Sequence, residues 1–174
     1  EQPQTVTGAF DELLSKMYIS NVQNRLRQLN EPSENDSKRW LWELIQNAKD
    51  SVVQLKDRKS VDIRIQVRGQ EVKIKHNGAP FTAKAQLGLL YKYSEGKVNS
   101  SESTGRFGTG FLTTHVLSKI VSIEGDLYTD DNNSELCGFS ATMYRDGLDE
   151  HELLDGVNKM KKSIEFTEEL NGWT

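Results

Sequence analysis

Glu43-Leu44-Ile45-Gln46-Asn47-Ala48-Lys49-Asp50 is the stretch on which the fold turns. On a helix turning about 100° per residue, Glu43, Asn47 and Asp50 fall in one narrow polar stripe. Leu41, Leu44, Ile45, Ala48, Val52 and Leu55 fall on the adjoining face. This predicts a helix that packs its apolar side on a sheet and carries the stripe along its edge, away from the core. Ser33 to Asp36 supplies capping residues, so the helix is expected over about 36–55. Taken alone, such a stripe is most simply a solvated face. Its chemical content lies in an amide set between two carboxylates: an Asn oxygen suits a hard Mg²⁺ ion, and a neighbouring carboxylate can accept a proton from water.

On the N-terminal side, Phe10, Leu13, Leu14, Met17, Tyr18, Val22, Leu26 and Leu29 recur at helical spacing and predict an amphipathic helix ending before Asn30-Glu31-Pro32. On the C-terminal side, Val61, Ile63, Ile65 and Val67 alternate with polar residues. Val72 and Ile74 continue the alternation after Arg68-Gly69-Gln70, which predicts a hairpin with one buried face. A short helix is expected over 82–93. Residues 94–104 are rich in Ser, Gly and Asn, with almost nothing to bury, and are expected to form a mobile loop. A glycine segment and a helix to about Leu117 follow, then strands over 120–125, 136–144 and 163–166. Helices accompanying a mostly antiparallel sheet imply a two-layer α/β sandwich of the α+β kind, with the helices on one face.

The chain has 174 residues, the size of one domain with a real core, and is 35% hydrophobic and 28% charged. Residues 1–174 are expected to be a single domain, with a helical segment over 1–35. The start at Glu1 and the stop after a polar stretch suggest the N-terminal piece of a longer protein. No apolar run is long enough to span a bilayer and no secretory signal is evident, so the expectation is a cytoplasmic protein without a membrane partner. A net charge of -4 argues against a dominant nucleic-acid surface. The single cysteine, Cys137, reads as a small core residue, His115 and His151 as ordinary surface or partly buried histidines, and Trp40 and Trp42 as packing residues.

Two further segments complete a pattern. His76-Asn77-Gly78-Ala79-Pro80-Phe81 follows the predicted hairpin. Gly105-Arg106-Phe107-Gly108-Thr109-Gly110-Phe111 opens the next predicted helix, and its glycines leave backbone amides unobstructed where phosphate can bind. No Gly-Lys-Ser/Thr follows, which excludes a Walker A loop.

Over roughly 36–125, these three segments resemble the Bergerat-fold (GHKL) ATPases: the ninety-kilodalton heat-shock chaperone, gyrase B, MutL and histidine-kinase catalytic domains. Glu-x-x-x-Asn-x-x-Asp is similar to the family's N box, His76-Asn77-Gly78 stands where its Asp-x-Gly box falls, and Gly105-x-x-Gly-x-Gly is similar to its glycine lid box. The heat-shock and sacsin-type branch is the best match.

The resemblance implies a Mg²⁺-ATP site with Glu43 as the general base on water and Asn47 as the Mg²⁺ ligand. It implies Asp50, with Ser51 beside it, at the base pocket; His76, Asn77 and Gly78 along the purine; and Phe81 as a wall. Gly105, Gly108, Thr109 and Gly110 would wrap the phosphates, flanked by Phe107 and Phe111, with 94–104 as the ATP lid and Lys97 or Arg106 neutralising phosphate charge. Where the family carries an aspartate that accepts a hydrogen bond from the adenine amino group, this chain has His76. A neutral imidazole can accept or donate, so the sequence leaves open whether His76 reads the base or only ends a strand. Gly172-Trp173-Thr174 is a candidate for the family's late turn, whose threonine helps bind the base.

The function implied is slow hydrolysis of ATP to ADP, with nucleotide state driving lid closure and association with downstream domains or a second copy. A chaperone-like or regulatory role would follow. Two alternatives differ in class. One is a non-hydrolysing nucleotide sensor. The other is a histidine-kinase-like catalytic domain, against which Glu43 argues, because a kinase has no need of a water-activating carboxylate.

Overall fold

A computed structural model describes residues 19, 22–53, 55, 58–83, 85–86, 110–130, 132 and 134–173. Residues 22–30 are helical (α1). Helix α2, Glu34–Val52, begins where Ser33 accepts the Asp36 N–H at 3.2 Å, the cap expected from the sequence. Asp36 also receives Arg25 of α1 at 3.1 Å, which braces the corner between the two helices. Strands β1 (Ile63–Arg68) and β2 (Glu71–His76) form an antiparallel hairpin. A short 3-10 helix, Phe111–Val116, leads into β3 (Ile120–Tyr128), β4 (Leu136–Tyr144), helix α3 (Glu150–Lys162) and β5 (Glu165–Thr167).

The second sheet is antiparallel in the order β3-β4-β5. Phe81 joins the free edge of β3 through a parallel bridge: its N–H donates to the Asp126 carbonyl at 2.7 Å, and its carbonyl accepts from Tyr128 at 2.9 Å. The segment after β2 is thereby carried to the three-stranded sheet. Ile123, Leu127, Phe139, Ala141 and Met143 lie on one face of that sheet and share a core with Val22, Leu26 and Leu29 of α1, Leu112 of the 3-10 helix, and Leu153, Val157 and Met160 of α3. These helices cover one face, and the chain is a small α+β fold with two antiparallel sheets. Among the described residues no helix is long and apolar enough to cross a membrane.

Four expectations are corrected. Helix α3 lies where no element was expected; Asp149 caps it, Glu150 and Glu152 stand in its first turn and Lys159, Lys161 and Lys162 in its last. The element after the glycine segment is 3-10, closed by Thr113 N–H to the Gly110 carbonyl at 3.0 Å. The hairpin does not bury its apolar face: Ile65 is 45% exposed and Val67 68%, because two strands alone extend past the core at their turn end. Trp42 is 72% exposed and packs little.

The predicted helices over 10–29 and 82–93 are described only at 19, 22–29, 82, 83, 85 and 86. The 94–104 loop and Thr174 lie outside the described residues.

His115 is buried, more deeply than the sequence suggested, and its Nε2 meets the Asn30 side-chain oxygen at 3.2 Å, tying the 3-10 helix to the end of α1. Burial, with the charges of Arg145 and Lys119 nearby, holds its pKa down to about 4. The ring is therefore neutral in the fold. As pH falls below 6.5 the unfolded chain takes up a proton that the folded chain refuses until about 4, so stability declines across that window. The full shift corresponds to a loss on the order of 3 kcal/mol. Urea midpoints at pH 7 and pH 4.5 should fall more for the wild type than for His115→Gln. Equal falls would remove His115 from the account.

Candidate functional site

Helix α2 is the spine of the site. Glu43, Asn47 and Ser51 recur at intervals of four and so share one face of it. That face is covered: Asn47 and Ser51 are each 9% exposed and Glu43 and Asp50 are half-buried, so the stripe expected along a solvated edge is instead a packed line.

Two glycines from distant parts of the chain approach its two ends. A Cβ on Gly110 would fall 2.1 Å from Glu43 Oε2 and 2.7 Å from its carboxyl carbon, so the end of the glycine segment rests directly on the Glu43 carboxylate. A Cβ on Gly78 would fall 1.9 Å from Ser51 Oγ and 2.9 Å from His76 Nδ1. The two contacts stand eight residues apart on α2, about 12 Å along its axis, with Asn47 midway. Gly78→Ala should cost about 1–3 kcal/mol, because Ser51 Cβ, at 3.0 Å, is fixed to the helix and cannot swing aside. A urea titration checks this, and an unchanged midpoint would mean that the approach is looser than described.

Polar partners define what each side chain is free to do. Arg39, one turn before Glu43, donates to its Oε1 at 2.8 Å. Gln46 donates to Asp50 at 2.9 Å. Ser51 donates its hydroxyl hydrogen to the Ala48 carbonyl at 2.7 Å. The backbone N–H of Gly78 donates to His76 Nδ1 at 3.1 Å, and burial lowers the His76 pKa.

Asn77 turns away from α2: its amide accepts from Asp62 N–H at 2.8 Å and donates to the Asp62 carboxylate at 3.0 Å, clamping the base of the hairpin. Phe81 stands edge-on to Phe139, with ring centroids 6.3 Å apart, at the margin of the core. The Asn171-Gly172 turn is held by Asp126, whose carboxylate accepts both backbone N–H groups at 2.7 and 2.9 Å. Trp173 then lies under Arg64 and Lys75 of the hairpin, at 4.4 and 5.2 Å.

Of the residues singled out from the sequence, Glu43, Asn47, Ser51, His76, Gly78 and Gly110 are thus gathered along one helix. Asp50 lies at its side, Asn77 pairs with Asp62, Phe81 is held against β3 and Phe139, and Phe111 lies under Arg145. Lys97, Gly105, Arg106, Phe107, Gly108 and Thr109 lie outside the described residues.

Two contributors were missed. Arg39 could have been found from its spacing of four before Glu43. Arg145, buried at the end of β4, donates to Thr114 Oγ1 at 3.0 Å and lies 5.6 Å over the Phe111 ring, holding the 3-10 helix in place. Nothing local in the sequence marks it.

No group of three or more His, Cys, Asp or Glu among the described residues is placed to hold a metal ion. A Mg²⁺ ion that keeps its waters and binds nucleotide phosphates needs only one or two protein oxygens, which the Asn47 amide can supply. Comparisons with protein-family models, curated proteins and solved structures found no match to this chain.

Proposed function

We propose that this chain is a Bergerat-type Mg²⁺-ATP-binding domain that hydrolyses ATP slowly and uses nucleotide state to control association with another domain or a second copy. One observation carries the proposal: three segments far apart in sequence meet on one helix, with Gly110 on Glu43 and Gly78 on Ser51. A carboxylate, an amide oxygen and a glycine-lined backbone within two turns are the parts that phosphate hydrolysis requires.

In this reading the Gly110 end takes the phosphates and the Gly78 end takes the base. Glu43 accepts the proton of the attacking water. Asn47 would hold Mg²⁺, which would neutralise phosphate charge. Asp50 and Phe81 border the base.

A non-hydrolysing sensor has one observation in its favour, because the Glu43 carboxylate is taken up by Arg39. That ion pair is exposed on the Arg39 side and of the kind worth ~1 kcal/mol or less, so it leaves Glu43 available to water. Phosphate release from ATP by the full-length protein separates the two readings. Release that depends on Glu43 supports hydrolysis, and saturable binding without release supports the sensor.

A further inference from the structure

Pairing across the β1–β2 hairpin sets two positive side chains directly opposite each other, Arg64 against Lys75. Like charges so placed destabilise a sheet. Among the described residues, Arg64, Lys75 and Arg68 have no carboxylate partner. What holds the opposed pair is Trp173, whose ring centre lies 4.4 Å from the Arg64 guanidinium and 5.2 Å from the Lys75 ammonium. Alternation sends Gln66, Arg68 and Lys73 to the same face, and all three are exposed. Lys73 meets Glu124 at 3.7 Å, but both side chains are more than half exposed, so that pair is weak and easily exchanged. Residues 58–76 carry six Lys or Arg against two Asp or Glu in a chain of net charge -4, so the positive field belongs to the hairpin alone.

From this we infer that the polar face of the hairpin docks an extended acidic segment of a partner protein. Successive side chains on one face of a strand stand about 6.7 Å apart, and an extended peptide with carboxylates at alternate positions repeats that interval. Such a peptide meets Lys73 and Lys75 in register, or Arg64 and Arg68 at twice the interval, and relieves the repulsion between Arg64 and Lys75. A nucleic-acid strand fits less well. Its bases stack on open aromatic faces, whereas the Trp173 ring already carries two cations. Residues 120–155 also hold ten Asp or Glu against one Arg, a field that repels a phosphate backbone running beyond the hairpin. Docking here requires no nucleotide, because no residue of α2 takes part.

The test is a calorimetric titration of the full-length protein, without nucleotide, with a peptide of alternating Glu and Thr about ten residues long and with oligothymidylate of the same length. The peptide should bind saturably, and its affinity should fall at least about tenfold as salt rises from about 0.1 M to 1 M, where the Debye length shrinks from about 10 Å to 3 Å. Arg64→Glu and Arg68→Glu should each weaken binding about tenfold or more. Lys161→Glu, in the last turn of α3, should leave it unchanged. Arg68 is exposed beside the turn, so its variant decides the matter if Arg64→Glu does not fold. Oligothymidylate bound as tightly as the peptide would overturn the inference in favour of a nucleic-acid face. A peptide-free dimer in sedimentation that Arg64→Glu abolishes would overturn it in favour of a second copy. No peptide binding, or binding that neither folded hairpin variant weakens, would overturn it and leave the proposed nucleotide site untouched.

Discussion

Glu43→Gln should lower ATP turnover by the full-length protein about 10²–10⁴-fold while leaving nucleotide affinity within about threefold, since a general base acts on water and adds little to ground-state binding. Gly110→Ala should have nearly the same effect by a different route. Its new methyl group would occupy the place of the Glu43 carboxylate, 2.1 Å from Oε2 and 3.3 Å from Cγ. The carboxylate ends a flexible side chain and can rotate away, so folding is little affected while the base is displaced from its water. The two changes disable one group, so the double variant should be no slower than Glu43→Gln alone. Phosphate-release rates of the three variants check this. Undiminished turnover in Glu43→Gln would place the base elsewhere, and a double variant slowed by the product of the single effects would separate Gly110 from Glu43.

Asn47→Ala is expected to weaken Mg²⁺-ATP binding by about 2 kcal/mol, roughly thirtyfold, the scale of one interaction with a charged partner. The residue is 9% exposed, midway between the two glycine contacts, so a smaller side chain there changes both the oxygen available to Mg²⁺ and the packing of the helix. A metal role is recognised by its metal dependence. The wild type should lose affinity when Mg²⁺ is removed with a chelator, and Asn47→Ala should lose much less. Equal losses would assign Asn47 to packing alone.

The parts of the fold that were legible share a simple cause: periodicity in a self-contained segment. Helix α2 announces itself by its stripe and by the Ser33 cap, and the hairpin by alternation around Gly69, whose φ of +58° fits its place in the turn. Helix α3 was missed because only Leu153, Val157 and Met160 mark its buried face, among charges and a central Gly156. Strand β3 runs past its expected end at 125 because Asp126, which reads as a loop residue, is satisfied by backbone N–H groups 45 and 46 residues away. Such partners leave no local trace. The same divide runs through the site. Spacing on one helix revealed Glu43 and Asn47, whereas the Glu43–Gly110 and Ser51–Gly78 contacts depend on the path of the whole chain. The bond from the Gly78 backbone N–H to His76 Nδ1 is likewise one that no residue pattern records.

The central claim is that this helix-and-glycine arrangement is a nucleotide site, and calorimetric titration with Mg²⁺-ATP and Mg²⁺-ADP, paired with thermal melts, tests it most directly. The account predicts saturable binding of one nucleotide per chain. At a nucleotide concentration a hundredfold above Kd, it predicts stabilisation by about 2.7 kcal/mol, or a rise of roughly 5–10 °C in Tm. No heat of binding and an unmoved melting curve at millimolar Mg²⁺-nucleotide would contradict it.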